Sequence, residues 1–119
     1  MQNKENKIAA NKRLAELLGW THITEVGGAL VGTSPAGVAE SRGQALVPDW
    51  VGDWAAAGQL ICEYRVDLEW SHDGMDVVAI INRNDMYGKF PVLLADFSTP
   101  DAAARAAVVR AVAELVGCA

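Results

Sequence analysis

The run Val47-Pro48-Asp49-Trp50-Val51-Gly52-Asp53-Trp54 constrains this chain more than any other stretch. Pro48 fixes its own φ and biases Val47 toward extended backbone, so the chain enters the run as a loop. Asp53 has N-cap chemistry: its carboxylate can accept from the free amides of the next turn and sits at the positive end of a helix dipole. A helix is therefore predicted to begin near Trp54 and to run through Ala55 to Ile61, with Ala57, Leu60 and Ile61 on one face. Asp49 has the same chemistry, which leaves the start open by a turn. Asp49, Trp50, Asp53 and Trp54 together form either a docking corner or a ligand-facing rim. The docking corner is the favoured reading, because tryptophan is highly buried on average.

Everything attached to that corner has to be small. The chain has 119 residues, enough for one domain spanning 1–119, and 20 of its apolar residues are alanines that contribute little volume. A thin core in so short a chain leads us to expect a homo-oligomer. The net charge of −5 is uneven. Lys4, Lys7, Lys12 and Arg13 against Glu5 and Glu16 give the first 18 residues +2, which leaves −7 for the remainder. So acidic a body is a poor footprint for duplex nucleic acid. Cys62 and Cys118 lack the spacing of a zinc site or disulfide framework, and a reducing cytoplasm is expected. No apolar run approaches the roughly 18 residues of a membrane span, and the polar start has no signal-peptide h-region, so a soluble cytosolic protein is anticipated.

Taken in order, residues 1–4 read as frayed, and a first helix is predicted from about Glu5 to Leu18, with Ile8, Asn11, Ala15 and Leu18 on one face. Gly19 stands where a left-handed C-terminal residue is wanted, and Trp20 folds back over that end. Residues 21–47 read as a long glycine-rich loop with one short strand at Ala29 to Val31. A hairpin turning at Gly27-Gly28 is an equally weighted alternative. Tyr64 to Trp70 alternates as a strand with one wet face, Met75 to Asn82 reads as a more apolar central strand, and Phe90 to Phe97 as a third strand with Pro91 near its start. Asn82 to Gly88 reads as a polar turn. Ser98-Thr99-Pro100-Asp101 starts a closing helix, with Val108, Val112, Leu115 and Val116 as its stripe, an Arg110–Glu114 pair, and Gly117 at its end. The resulting order, α-α-β-β-β-α, predicts an α+β domain: an antiparallel sheet of three to four strands with helices on its faces.

Asn11 to Trp20 (Asn-Lys-Arg-Leu-Ala-Glu-Leu-Leu-Gly-Trp), the Pro-Asp-aromatic step and short helix of Pro48 to Leu60, and the Ala/Arg-rich helix of Thr99 to Leu115 resemble the bacteriophage ABA-sandwich domain proteins. The likeness covers most of the chain in order. It departs at Trp50, where that family often has tyrosine, and at Trp54-Ala55-Ala56, which replaces Leu-Asn-Ala. The resemblance implies a small phage or prophage accessory protein. By analogy of size and genomic role, it also implies an oligomeric sponge for nucleotide immune signals such as cyclic nucleotides or ADP-ribose derivatives.

The residues themselves argue against catalysis. His22 and His72 are the only histidines, one next to a helix end and one in a predicted turn, and solvent-exposed loop histidines are the better reading of both. Asp67, Glu69, Asp73 and Asp76 fall on a strand's outer face or in a turn, where a solvated surface is the better reading than a metal pair. Gly27 to Thr33 lacks the lysine and following helix of a phosphate loop. Aromatic planes beside a guanidinium suit a nucleotide pocket, and they equally suit an interface. The expected function is non-enzymatic, cofactor-free binding of a nucleotide-like signal. Trp50 and Trp54, with Trp20 nearby, would stack on the base, Arg65 or Arg83 would meet phosphate, and Asp49 or Asp53 would accept from ribose hydroxyls. The alternatives are a protein that binds a host protein through the same aromatics and, more remotely, a phosphodiesterase-like enzyme using the acids near Asp73.

Overall fold

The computed structural model describes residues 4–35, 45–83 and 86–117. It is an α+β fold with three helices and two antiparallel three-stranded sheets. Helix α1 (Lys4–Leu17) ends as the glycine predicts. Gly19 has φ 103°, its N–H donates to Glu16 O at 3.2 Å, and Trp20 N–H donates to Ala15 O at 3.0 Å. These two bonds form a Schellman closure, and they turn the half-buried Trp20 back onto the core.

Of the two readings of 21–47, the hairpin turning at Gly27-Gly28 holds over the first half and the loop reading is corrected there. Strand β1 (Thr21–Val26) pairs with β2 (Ala29–Thr33), and β2 pairs with the short β3 (Ala45–Leu46). Gly27 and Gly28 have φ 61° and 86°, the left-handed pair a two-residue hairpin turn requires. The strand hid from hydropathy because β1 is exposed on almost every residue, so Thr-His-Ile-Thr-Glu-Val has no apolar face to alternate. The predicted loop glycines Gly37 and Gly43, like residues 1–3 and Cys118, lie outside the described residues.

Helix α2 (Trp54–Tyr64) closes on a left-handed Arg65 and passes directly into the second sheet, β4 (Val66–Trp70), β5 (Asp76–Arg83) and β6 (Met86–Leu93), with β5 central as expected. Strand β6 begins four residues before the predicted Phe90 and ends before Leu94–Asp96, a single 3₁₀ turn. Pro91 therefore sits well inside a strand. The strand tolerates it because β6 is an edge. Pro91 O accepts from Arg110 Nη1 at 3.1 Å, so the side of the residue that lacks an N–H points away from β5. That same bond replaces the predicted Arg110–Glu114 pair; among the described residues the ion pair is Arg105–Asp101, at 3.3 Å.

Helix α3 (Pro100–Gly117) is capped by Thr99, whose Oγ1 accepts from Ala102 N–H at 3.2 Å. It packs on β5 and β6 and also against α1 and α2. Ala102 to Arg105, Ala107 to Val109 and Ala111 to Ala113 are all buried, so the helix is covered nearly all round and is not the one-striped helix expected from sequence. Its alanines are what let three neighbours approach closely. The helices do not flank both faces of the sheet. Val77, Ala79 and Ile81 point from β5 into the core under α3, whereas Val78 and Ile80, on the opposite face, are half-exposed and belong to no part of it.

Candidate functional site

The Val47 to Trp54 run is the corner where the first sheet, α1, α2 and α3 meet. Val47 N–H still donates to Leu30 O at 2.9 Å, extending the β2 edge, before Pro48 ends the pairing. The next four residues coil into a turn: Gly52 N–H and Asp53 N–H donate to Asp49 O at 3.2 and 2.9 Å, and Gly52 N–H also reaches Asp49 Oδ1 at 3.0 Å. Asp53 then caps α2 from extended backbone, its Oδ1 accepting from Ala55 N–H at 3.1 Å and its carbonyl accepting from Ala57 N–H at 3.0 Å.

Two side chains that residue type alone did not single out pin this turn. Asn11, buried on the inner face of α1, donates from Nδ2 to Asp49 Oδ1 at 2.8 Å and accepts from Val51 N–H at 3.2 Å through Oδ1. Arg105, buried on α3, donates from Nε to Val51 O at 2.8 Å. Val51 thus has both its backbone groups satisfied by side chains from two helices, as a buried residue outside regular structure requires. The sequence signal for Asn11 was its place on the apolar face of α1; for Arg105 it was a lone guanidinium inside an alanine run.

These bonds sort the predicted ligand residues. Trp50 is only 4% exposed and packs with Leu14, Val51 and Leu60 in the core cluster, so it is an anchor with no open face; the expectation that it stacks on a ligand is corrected by its burial. Trp54 is 40% exposed, and the Arg105 guanidinium carbon lies 5.3 Å from its ring centroid. Asp53 is exposed beside it, although one carboxylate oxygen serves as the cap. Asp49 is exposed as well, with Oδ1 engaged by Asn11 and Gly52. Arg65 caps the far end of α2, about 16 Å of helix from Trp54 at 1.5 Å per residue, and Trp20 stands at the end of α1. Arg83 ends β5, and its side chain lies outside the described residues. The corner therefore gathers Trp54, Asp53 and Arg105, and the first two were expected.

Two shallow grooves flank α1. One, of about 200 Å³, lies between Lys7, Asn11, Gly28 to Leu30 and Asp49; the other, of about 360 Å³, has an alanine floor between α1 and α3 rimmed by Arg13 and Arg110. The acids near the β4–β5 turn serve the turn itself. Asp73 Oδ1 accepts from Ser71 Oγ at 2.7 Å and from Met75 N–H at 3.0 Å, and the serine hydroxyl first, then the amide, hold its carboxyl below the usual carboxylate value. Asp101 is lowered in the same direction, first by Thr99 and only secondarily by Arg105. Among the described residues no group of three His, Cys, Asp or Glu is placed to hold a metal, and no helix is long and apolar enough to cross a membrane. No protein-family model matches the chain, and no curated protein and no solved structure matches it either.

Proposed function

We propose that the protein is a non-catalytic phage accessory protein of the host cytosol that sequesters a nucleotide-derived signal, gripping its base and sugar at the Trp54 corner. The observation that carries this reading is the indole of Trp54, two-fifths exposed, with the Arg105 guanidinium held against its ring. An indole fixed in one orientation by a buried cation presents its open surface to a planar group at little ordering cost. Arg105 is itself anchored by Val51 and Asp101, so the stack belongs to the core and does not depend on a mobile surface chain. Asp53 beside it offers an acceptor for ribose hydroxyls. With Asp53 and Asp101 at the rim and Arg65 at the other end of α2, the corner suits the base and sugar better than it suits phosphate.

The test is native mass spectrometry of protein purified from cells with an active nucleotide-signalling defence, followed by denaturation and identification of what is released. An intact nucleotide near one per site, lost in Trp54→Ala, supports sequestration. An empty protein, or retention of the ligand by a folded Trp54→Ala variant, sinks the assignment, and a released breakdown product would mean catalysis. A second reading, docking of a host protein, is favoured by the exposure of Trp70 at 53%. Capture of a defined host partner by wild type and not by Trp70→Ala would establish it.

A further inference from the structure

The groove under the first turns of α1 carries polar groups that the fold does not use. Lys7, Asn11, Leu14 and Leu18 follow one another at helical spacing along the inner face of α1. The two leucines pack into the core, but the two residues before them are polar, and the change falls where the groove of about 200 Å³ opens between α1 and β2. Ile8, Leu30 and Val47 wall it. A lysine facing such walls is favoured by neither burial nor the helix dipole, whose positive end lies at that end of α1. Lys7 is half-buried there and makes no ion pair among the described residues. Asn11 is only 6% exposed. It spends Oδ1 on Val51 and one of its two Nδ2 hydrogens on Asp49, and the other hydrogen has no acceptor among the described residues. Asp49 lines the same groove, and both bonds it accepts go to Oδ1, which leaves Oδ2 unspent.

These spare groups define a ligand. We propose that the groove binds a free aliphatic α-amino acid: Lys7 and the spare N–H of Asn11 receive its carboxylate, Asp49 receives its ammonium, and Ile8, Leu30 and Val47 receive its side chain. An ammonium and an amide N–H converging from one helix face ask for a carboxylate. A carboxylate alone would also face Asp49, so the ligand carries a cation beside it. Asn11 and Asp49 already touch at 2.8 Å, so the ligand's acceptor and donor must sit side by side, as they do on the α-carbon of an amino acid. Lys7 stands one turn from Asn11, about 5–6 Å between Cβ atoms, a gap its flexible stem spans. Size sets the upper bound. A groove of about 200 Å³ is below the roughly 300 Å³ at which drug-sized pockets begin, so a nucleotide does not fit and a short branched side chain does. A peptide N-terminus would offer Asp49 its ammonium but give Lys7 only a neutral carbonyl. Trp54 is not part of the groove, so the site stands apart from the Trp54 corner.

Titration with L-leucine, followed by amide chemical shifts, tests this. Wild type should bind one leucine per chain with Kd of about 10 μM to 1 mM, as suits a ligand of so few atoms, and the shifts should centre on α1, Gly28 and Leu30. 4-Methylpentanoate, which lacks the ammonium, and 3-methylbutylamine, which lacks the carboxylate, should each bind at least about tenfold more weakly. Lys7→Met keeps an apolar stem and should weaken leucine by at least about tenfold while leaving 3-methylbutylamine and the Tm unchanged, a split that a merely structural lysine would not produce. Asp49→Asn, which keeps an acceptor for Gly52, should weaken leucine and spare 4-methylpentanoate. No saturable shifts by about 10 mM leucine would overturn the proposal. Leucine bound equally by folded Lys7→Met, or no more tightly than 4-methylpentanoate, would overturn it too.

Discussion

Replacing Asn11 with alanine removes two hydrogen bonds from one turn, and their unequal costs can be worked out. Val51 is 1% exposed, so its N–H, now bonded at 3.2 Å, finds no water when the amide is gone. A buried donor left unpaired costs about 1–3 kcal/mol. Asp49 loses a donor at 2.8 Å, but it is exposed and keeps Gly52 N–H, so water replaces most of what is lost there. The sum is about 2–4 kcal/mol against a total stability on the order of 5–15 for a small domain. In a chain of this size that lowers Tm by roughly 6–20 °C, measured by circular dichroism with urea titration as a second route. Asn11→Asp is the sharper control. Its carboxylate still accepts from Val51 N–H but faces the Asp49 carboxylate where the amide donated, so at neutral pH it should recover little of what alanine loses. Combining Asn11→Ala with Asp49→Ala should show a coupling of about 0.5–3 kcal/mol. A Tm unchanged in Asn11→Ala, or an Asn11→Asp protein as stable as wild type, would refute the pinned turn.

Trp50→Ala and Trp54→Ala should part company although they lie one helical turn apart in sequence. The first empties a core site and costs about 3–5 kcal/mol, enough to threaten folding, whereas the second forfeits mainly a cation–π contact of about 0.5–1 kcal/mol. Chemical denaturation of the two variants should separate them clearly. Arg105→Met should keep the packing and strand the Val51 carbonyl, costing about 1.5–3 kcal/mol and altering Trp54 fluorescence; a stability within 0.5 kcal/mol of wild type would show the guanidinium to be idle. The carboxyl of Asp73 should titrate below 3.8 by carbon-detected NMR and move back toward that value in Ser71→Ala. Because its folded value is depressed, its contribution to stability is complete above the unfolded value and is lost as pH falls below about 4.

The parts of the fold legible in sequence are those where one physical signal dominates. Asp53 and Thr99 mark helix starts and Gly19 marks an end, all where they were placed; the alternation read from Tyr64 to Trp70 marks a strand that begins two residues later, at Val66, because Tyr64 closes α2 and Arg65 is its left-handed cap. Signals failed where burial did not follow the element's period. Strand β1 is exposed on both faces and shows no alternation, and α3 is buried nearly all round and shows no single stripe. Pro91 moved the predicted start of β6 because proline's cost depends on which way its missing N–H points, and that is set by the register with β5, which turns the carbonyl outward to Arg110.

The corner shows the same limit for function. Residue type singled out Asp49, Trp50, Asp53 and Trp54, but their roles depend on which way each side chain faces, and that is set by partners 38 to 54 positions away in the chain, Asn11 and Arg105. Trp50 points inward because the turn Asp49 to Gly52 is tied to α1 on one side and α3 on the other; Trp54, the first residue past the cap, is left at the rim. Arg105 does both jobs, satisfying the carbonyl of Val51 and bracing the indole of Trp54. Stability and the candidate binding surface are therefore coupled through one guanidinium. A variant that loosens the turn should blunt whatever Trp54 binds even when Trp54 itself is intact. Asn11→Ala, which acts through Asp49 and the backbone of Val51 and leaves the indole itself in place, is the variant that separates a pre-organised indole from a merely exposed one.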